Sequence, residues 1–192
     1  MEIGKTLYVK SSSEWREWLL EHHAAEKEIW LIYPKKHSKR PRIPYADAVE
    51  EALCFGWIDS IVKGIDEECY AQRFSPRKKN SPWSQPNIER MRRLIAEGRM
   101  TPAGLAALKN PETLMEKQEL EIAPDVLEAL KKDKSVWKNF QAFADNYKRV
   151  RIAYIEAGRK HGPEQFQKRL DNFINKTRKN QQFAFGGVQK EK

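Results

Sequence analysis

The hydrophobic pattern changes character near Leu120, and that change constrains the fold more than any single motif. Before it, short runs of aromatic and β-branched residues alternate with amphipathic helical stretches; after it, every stretch reads at helical period. LYVK (Leu7–Lys10) reads as a short strand. Ser11-x-x-Glu14 is a capping box opening a helix that carries Trp15, Trp18, Leu19 and His22 at i, i+3, i+4 and i+7. EIWLIYP (Glu28–Pro34) reads as a strand, stopped by its proline. PYADAVEEALCFGW gives a second helix with Tyr45, Val49, Ala52 and Leu53 on one face and Gly56 as its stop. Two strands follow, about Trp57–Lys63 and Cys69–Ser75, and then a helix from Asn87 that ends at Gly98. Thr101-Pro102 is an N-cap and N1 pair. Beyond Leu120, helix starts are expected at Pro124, at Asp133 or Ser135, at Ala144–Asp145 and at Pro163, and the tail FAFGGVQKEK is expected to fray. The prediction is an α+β domain over residues 1–120, with a small mixed or antiparallel sheet and packed helices, followed by a helical C-terminal subdomain over 121–192.

In that subdomain Trp137, Phe140, Phe143 and Tyr147 recur so that the first two steps share a helix face, while the last crosses a break near Ala144. These rings are expected to bury against the first domain or neighbouring helices.

Charge is distributed unevenly. The net charge is +9, yet residues 1–120 contribute only +2 and residues 121–192 contribute +7. The window 69–110 alone carries nine basic residues against Glu89 and Glu97. Such blocks attract phosphate-bearing or acidic partners, or serve only as a solvated face. No run of eighteen apolar residues occurs, so no membrane insertion is expected. Cys54 and Cys69, the two cysteines, have no metal-ligand spacing, and the N-terminus lacks a secretory pattern, which fits a cytoplasmic protein.

The stretch GWIDSIVKGIDEECYAQRFSPRKKNSPWSQPN (Gly56–Asn87) concentrates the unusual chemistry. Asp59 lies within a strand, where a carboxylate needs a partner, and Arg73 or Arg77 is the expected one. A five-residue turn places Asp59 opposite Arg73; a four-residue turn places it opposite Gln72, with Trp57 opposite Phe74. The bland alternative is a cross-strand pair that only fixes register. Ser75-Pro76-Arg77 ends the second strand, Lys78 and Lys79 follow, and Ser84-Gln85-Pro86-Asn87 reads as a helix start with Ser84 as its cap. Free N–H groups there, with Arg73 and Arg77 just ahead, would form an anion pocket. Trp57 and Trp83 would supply flat walls.

Other chemistry is absent from the sequence. No GxGxxG, Walker A, GxSxG or HExxH occurs, and His22, His23, His37 and His161 lack metal-ligand spacing. Glu50-Glu51 reads as solvated surface and Cys54 as a small buried apolar group. Without a coherent acid–base–nucleophile set, no cofactor is implied and enzymatic activity is not the expectation.

ALCFGWIDS (Ala52–Ser60), RFSPRK (Arg73–Lys78), WSQPN (Trp83–Asn87) and LIAEGRMTPAG (Leu94–Gly104) resemble the YdeI/OmpD-associated, or bacteriocin-protection, family. Trp15, Trp18-Leu19 and Ile29-Trp30-Leu31 fit its opening. Tyr154-Ile155 and Lys168-Arg169 resemble its C-terminal helices more loosely. The resemblance implies a bacterial cytoplasmic protein of stress or antimicrobial-peptide tolerance, and it brings no catalytic residues. The motif positions it transfers are Trp57, Asp59, Arg73, Ser75, Arg77, Trp83, Ser84 and Asn87. A chain of charge +9 should repel cationic peptides, so an indirect role through a small anionic ligand, a nucleic acid or a protein partner fits better. Three readings follow: an anion-binding tolerance protein, a nucleic-acid binder using the basic blocks, and an enzyme on a small acidic or phosphorylated substrate with Asp59 as base.

Overall fold

The computed structural model describes residues 2–108, 112, 114, 116 and 119–183, so the fraying expected of the tail lies outside the described residues. The chain forms two compact units. One comprises Met1–Trp83 with Arg90–Met115, the other Ser84–Glu89 with Glu116–Lys192.

In the first unit the described strands are β1 (Thr6–Leu7), β2 (Ile29–Pro34), β3 (Trp57–Gly64) and β4 (Cys69–Pro76), and the helices are α1 (Ser12–His22), α2 (Tyr45–Cys54) and α4 (Pro102–Ala106). Helix α3 (Gln85–Ala96) begins in the second unit and ends in the first. The sheet order is β1-β2-β4-β3. β1 runs parallel to β2, and the other pairings are antiparallel, so the sheet is mixed. The first strand starts one residue earlier than LYVK and ends already at Leu7, because the β2 pairing takes only Thr6 and Leu7. Val9 instead enters the core, 3% exposed.

Capping sets α1 as expected. Ser11 Oγ accepts the Glu14 N–H at 3.3 Å, and the Glu14 carboxylate reaches back to the Lys10 N–H at 2.8 Å. The apolar stripe then buries Trp15 and Leu19 fully. On the inner face of the sheet Ile29, Leu31, Trp57 and Phe74 join Trp15, Leu19, Val49, Ala52 and Leu53 in one core. Helix α2 departs from its expected faces at two places. Tyr45 is 46% exposed. Glu50 and Glu51, expected at the surface, are buried at 4% and 5%. They are tolerated there because arginines surround them: Arg93 bonds Glu50 at 2.5 Å, while Arg16 and Arg99 bond Glu51 at 2.7 and 2.5 Å. Gly56, at φ +74°, ends the helix and turns the chain into β3. Thr101 caps α4, accepting the Gly104 N–H at 3.2 Å, with Pro102 at N1.

Among its described residues the second unit contains helices and no strand: the first turn of α3, then α5 (Pro124–Lys131), α6 (Lys134–Ala142), α7 (Asp145–Glu156), a 3-10 turn (Ala157–His161) and α8 (Pro163–Arg178). All four expected helix starts are observed. Asp133 caps α6 through the Ser135 and Val136 N–H groups. The chain breaks at Phe143, whose extended backbone separates α6 from α7. Phe140, Phe143 and Tyr147 are buried with Leu170 and Phe173 in a core of the unit's own, and Trp137 packs against it. Buried Glu89 of α3 is gripped in a two-pronged bond by Arg149, at 2.6 and 2.9 Å.

Candidate functional site

The hairpin that carries the sequence motifs takes neither expected register. Asp66 shapes the turn, its Oδ1 accepting the N–H groups of Glu68 at 2.7 Å and Cys69 at 2.6 Å. Gly64 therefore lies opposite Tyr70, Lys63 opposite Ala71 and Val62 opposite Gln72. A bulge then separates Val62 from Asp59. Beyond it Asp59 faces Phe74 and Trp57 faces Pro76.

The expected Asp59–arginine pair does not form. Asp59 Oδ2 accepts the Tyr45 hydroxyl at 2.6 Å and is 3.5 Å from Gln72 Nε2. Arg73 lies on the other face of the sheet and holds Glu28 at 2.7 Å. It also donates to Ser60 at 3.2 Å and to Ser75 at 3.4 Å. Adjacent strand positions point to opposite faces, so Phe74, opposite Asp59, leaves Arg73 turned away. The Arg73 bond holds the Glu28 carboxyl below the usual carboxylate range. Ser75 thus serves Arg73.

Trp57 is a core residue at 1% exposure. Its Nε1 donates to the His23 carbonyl at 3.2 Å, and its ring meets Trp18 edge-on at 5.8 Å. Trp83 is half-buried and carries Arg77 flat against it, the guanidinium carbon 3.6 Å from the ring centroid. The Arg77 N–H is tied to the Gly56 carbonyl at 2.9 Å, fixing where the loop leaves the strand. Arg77 Nη2 donates to the carbonyls of Ser81 at 2.9 Å and Pro82 at 2.6 Å. Burial depresses the pKa of this guanidinium. Lys78 and Lys79 beside it are exposed.

Ser84 occupies the cap position of α3, its carbonyl accepting the Ile88 N–H at 3.0 Å. It is exposed, Asn87 is half-buried, and both belong to the second unit. Of the eight motif positions, the fold thus brings Arg77 and Trp83 into direct contact and joins Arg73 to Ser75. It places Asp59 in a different neighbourhood.

That neighbourhood contains Gln72, which the four-residue turn offers as the partner of Asp59, and four residues not expected at a site: Tyr33, Tyr45, Tyr70 and Arg90. Tyr33 and Tyr70 pair across β2 and β4 and stack at 5.2 Å, 9° from parallel. Gln72 is 3% exposed and Arg90 7%. The signal available was a polar residue at an inward position, Tyr70-x-Gln72-x-Phe74. Cys54 is buried, and burial pushes its thiol up to about 11, which makes it unreactive. Among the described residues no group of three or more His, Cys, Asp or Glu side chains is placed to hold a metal ion, and no helix is long and apolar enough to cross a membrane.

Two family models match the chain. One, described as "Domain of unknown function (DUF8412)", matches residues 7–107. The other, described as "Bacteriocin-protection, YdeI or OmpD-Associated", matches residues 119–180. The second match falls on the helical end, where the likeness was looser, and the central motifs up to Gly104 fall under the first. No curated protein and no solved structure matches the chain.

Proposed function

We propose, for a chain that belongs to the bacteriocin-protection, YdeI or OmpD-associated family at its helical end and to the DUF8412 family over its first unit, that it acts in stress or bacteriocin tolerance in the cytoplasm by binding a small phosphate or carboxylate anion at Arg77. One observation carries this reading. Arg16, Arg73, Arg93 and Arg99 of the first unit each hold a glutamate, whereas Arg40, Arg42 and Arg77 hold no carboxylate among the described residues, and of these three Arg77 lies over the Trp83 ring beside two exposed lysines. A half-buried guanidinium without an acid has lost part of its hydration and gains more than an exposed one from a bound anion. Its Nη2 edge is spent on loop carbonyls and one face lies on Trp83. Nη1 and Nε remain as two separate donors, on either side of Cδ, each able to donate to an anion, with Lys78 and Lys79 adding positive potential. Trp83 therefore acts as the support of the arginine rather than as a wall for the ligand.

The proposed site rests on first-unit residues. Trp57 supports the core beneath it, and Ser84 and Asn87 keep the role of a helix start that the sequence assigns them. A thermal-shift screen of the full chain against inorganic phosphate, nucleotides, dicarboxylates and short nucleic acids tests the reading. Phosphate or a dicarboxylate at saturating concentration should raise the melting temperature by several degrees. Stabilisation by nucleic acid alone would support the basic-block reading instead.

A further inference from the structure

The β3 bulge has a stereochemical effect separate from the Arg77 loop. In the register set by Val62 opposite Gln72, an unbroken ladder would place Ser60 opposite Phe74 on the inner face and turn Asp59 outward. The extra residue at the bulge reverses this and aims Asp59 inward, beside Tyr45 and Gln72. Bulges at sheet edges commonly re-aim a side chain next to a site, and β3 is an edge strand. A second observation lies beneath it. The Tyr33 hydroxyl is fully buried and has no hydrogen-bond partner, and it sits in the field of Tyr70, Tyr45 and Asp59. A buried hydroxyl left without a partner is costly, so its persistence calls for a reason.

The hydrogen-bonding capacity left in this cluster defines what fits it. Both bonds to Asp59 go to Oδ2, leaving Oδ1 as an open acceptor. The Tyr33 hydroxyl is open as donor and acceptor. The Asp59 carboxylate is not a lone charge, because buried Arg90 lies in its field and Arg42 lies in that of Tyr33. Glu50 also lies in the field of Arg90, so charges of both signs surround the cluster, and neither a cation nor an anion meets a matched set. The exposed side chains next to the cluster are aromatic and apolar: Tyr45, which bonds Asp59, is 46% exposed, and Val62, opposite Gln72, is 57% exposed. The geometry points to a binding site for a neutral, hydroxyl-rich small molecule of the sugar or polyol class, with Asp59 accepting from a ligand hydroxyl, Tyr33 completing the hydrogen-bond set within, and Tyr45 as the aromatic cover. Ligand entry displaces the Tyr45 ring.

The test is ligand-observed NMR on the full chain with D-ribose, D-glucose and glycerol as probes and tetramethylammonium as the cationic comparison. A sugar or polyol should bind the wild type. Asp59→Asn keeps the shape and an acceptor for Tyr45, and should weaken binding about tenfold or more; Tyr33→Phe should weaken it roughly fivefold. Tyr33→Phe should not lower the melting temperature, because it removes a hydroxyl that has no partner in the free protein. Arg77→Ala should leave sugar binding unchanged, which separates this site from the Arg77 loop. The inference is overturned if no probe sugar or polyol binds, if tetramethylammonium binds in their place, or if Tyr33→Phe raises the melting temperature and leaves sugar binding intact.

Discussion

At the scale of single residues, the first unit is organised by which arginine meets which acid. Glu50 and Glu51 show this most clearly, since two adjacent carboxylates are buried only because Arg16, Arg93 and Arg99 converge on them. Removing one partner leaves a buried acid undercompensated. Arg93→Ala is expected to cost about 2 kcal/mol in a urea titration, below the full penalty of a broken buried pair because Arg99 remains 3.6 Å from Glu50. The Glu28–Arg73 pair makes a separate, pH-dependent contribution. Arg73 depresses the folded-state pKa of Glu28, so the pair stabilises the fold above the ordinary glutamate value and loses that stabilisation as pH falls through the depressed one. The melting-temperature gap between wild type and Arg73→Gln should therefore be full at pH 7 and shrink below about pH 4. A gap that widens on acidification would contradict the assignment.

At the scale of elements, capping and close approach fix the helices. Gly104 in α4 is the tightest point: a Cβ placed there would lie 2.2 Å from the Cys54 carbonyl oxygen, a backbone atom that has little freedom to yield. Gly104→Ala is expected to destabilise by about 3 kcal/mol or more, read by denaturant unfolding. A near-neutral result would show that α4 does not pack on the end of α2. Much of this level was legible in the sequence, because helix starts depend on local chemistry: Ser11, Thr101, Pro124, Asp133 and Pro163 each begin a helix where expected. The hairpin register was not legible. It depends on how Asp66 folds the turn and on one extra residue at the bulge, and neither leaves a periodic trace. The same two features separated Asp59 from the arginines, so the partners expected for Asp59 were the wrong ones. Glu50-Glu51 was misread for a related reason, since the arginines that neutralise the pair lie more than thirty residues away in the chain.

At the scale of the whole molecule, two units each bury a core of their own, and a net charge of +9 is spread over a surface where many arginines are already paired. Net charge therefore overstates the positive potential free to bind a ligand, and the position of unpaired cations matters more. Arg77 is such a cation, held in place by Trp83 and two loop carbonyls before any ligand arrives. The most direct measurement is a calorimetric titration of inorganic phosphate into the wild type, Arg77→Ala and Lys138→Ala, at low and moderate salt. Lys138 is an exposed lysine of α6 and serves as the remote-charge comparison. The account predicts a single site in the wild type, at least about tenfold weaker binding for Arg77→Ala, and no change for Lys138→Ala. Phosphate binding that is undetectable in the wild type, or equally weakened by both substitutions, would contradict it.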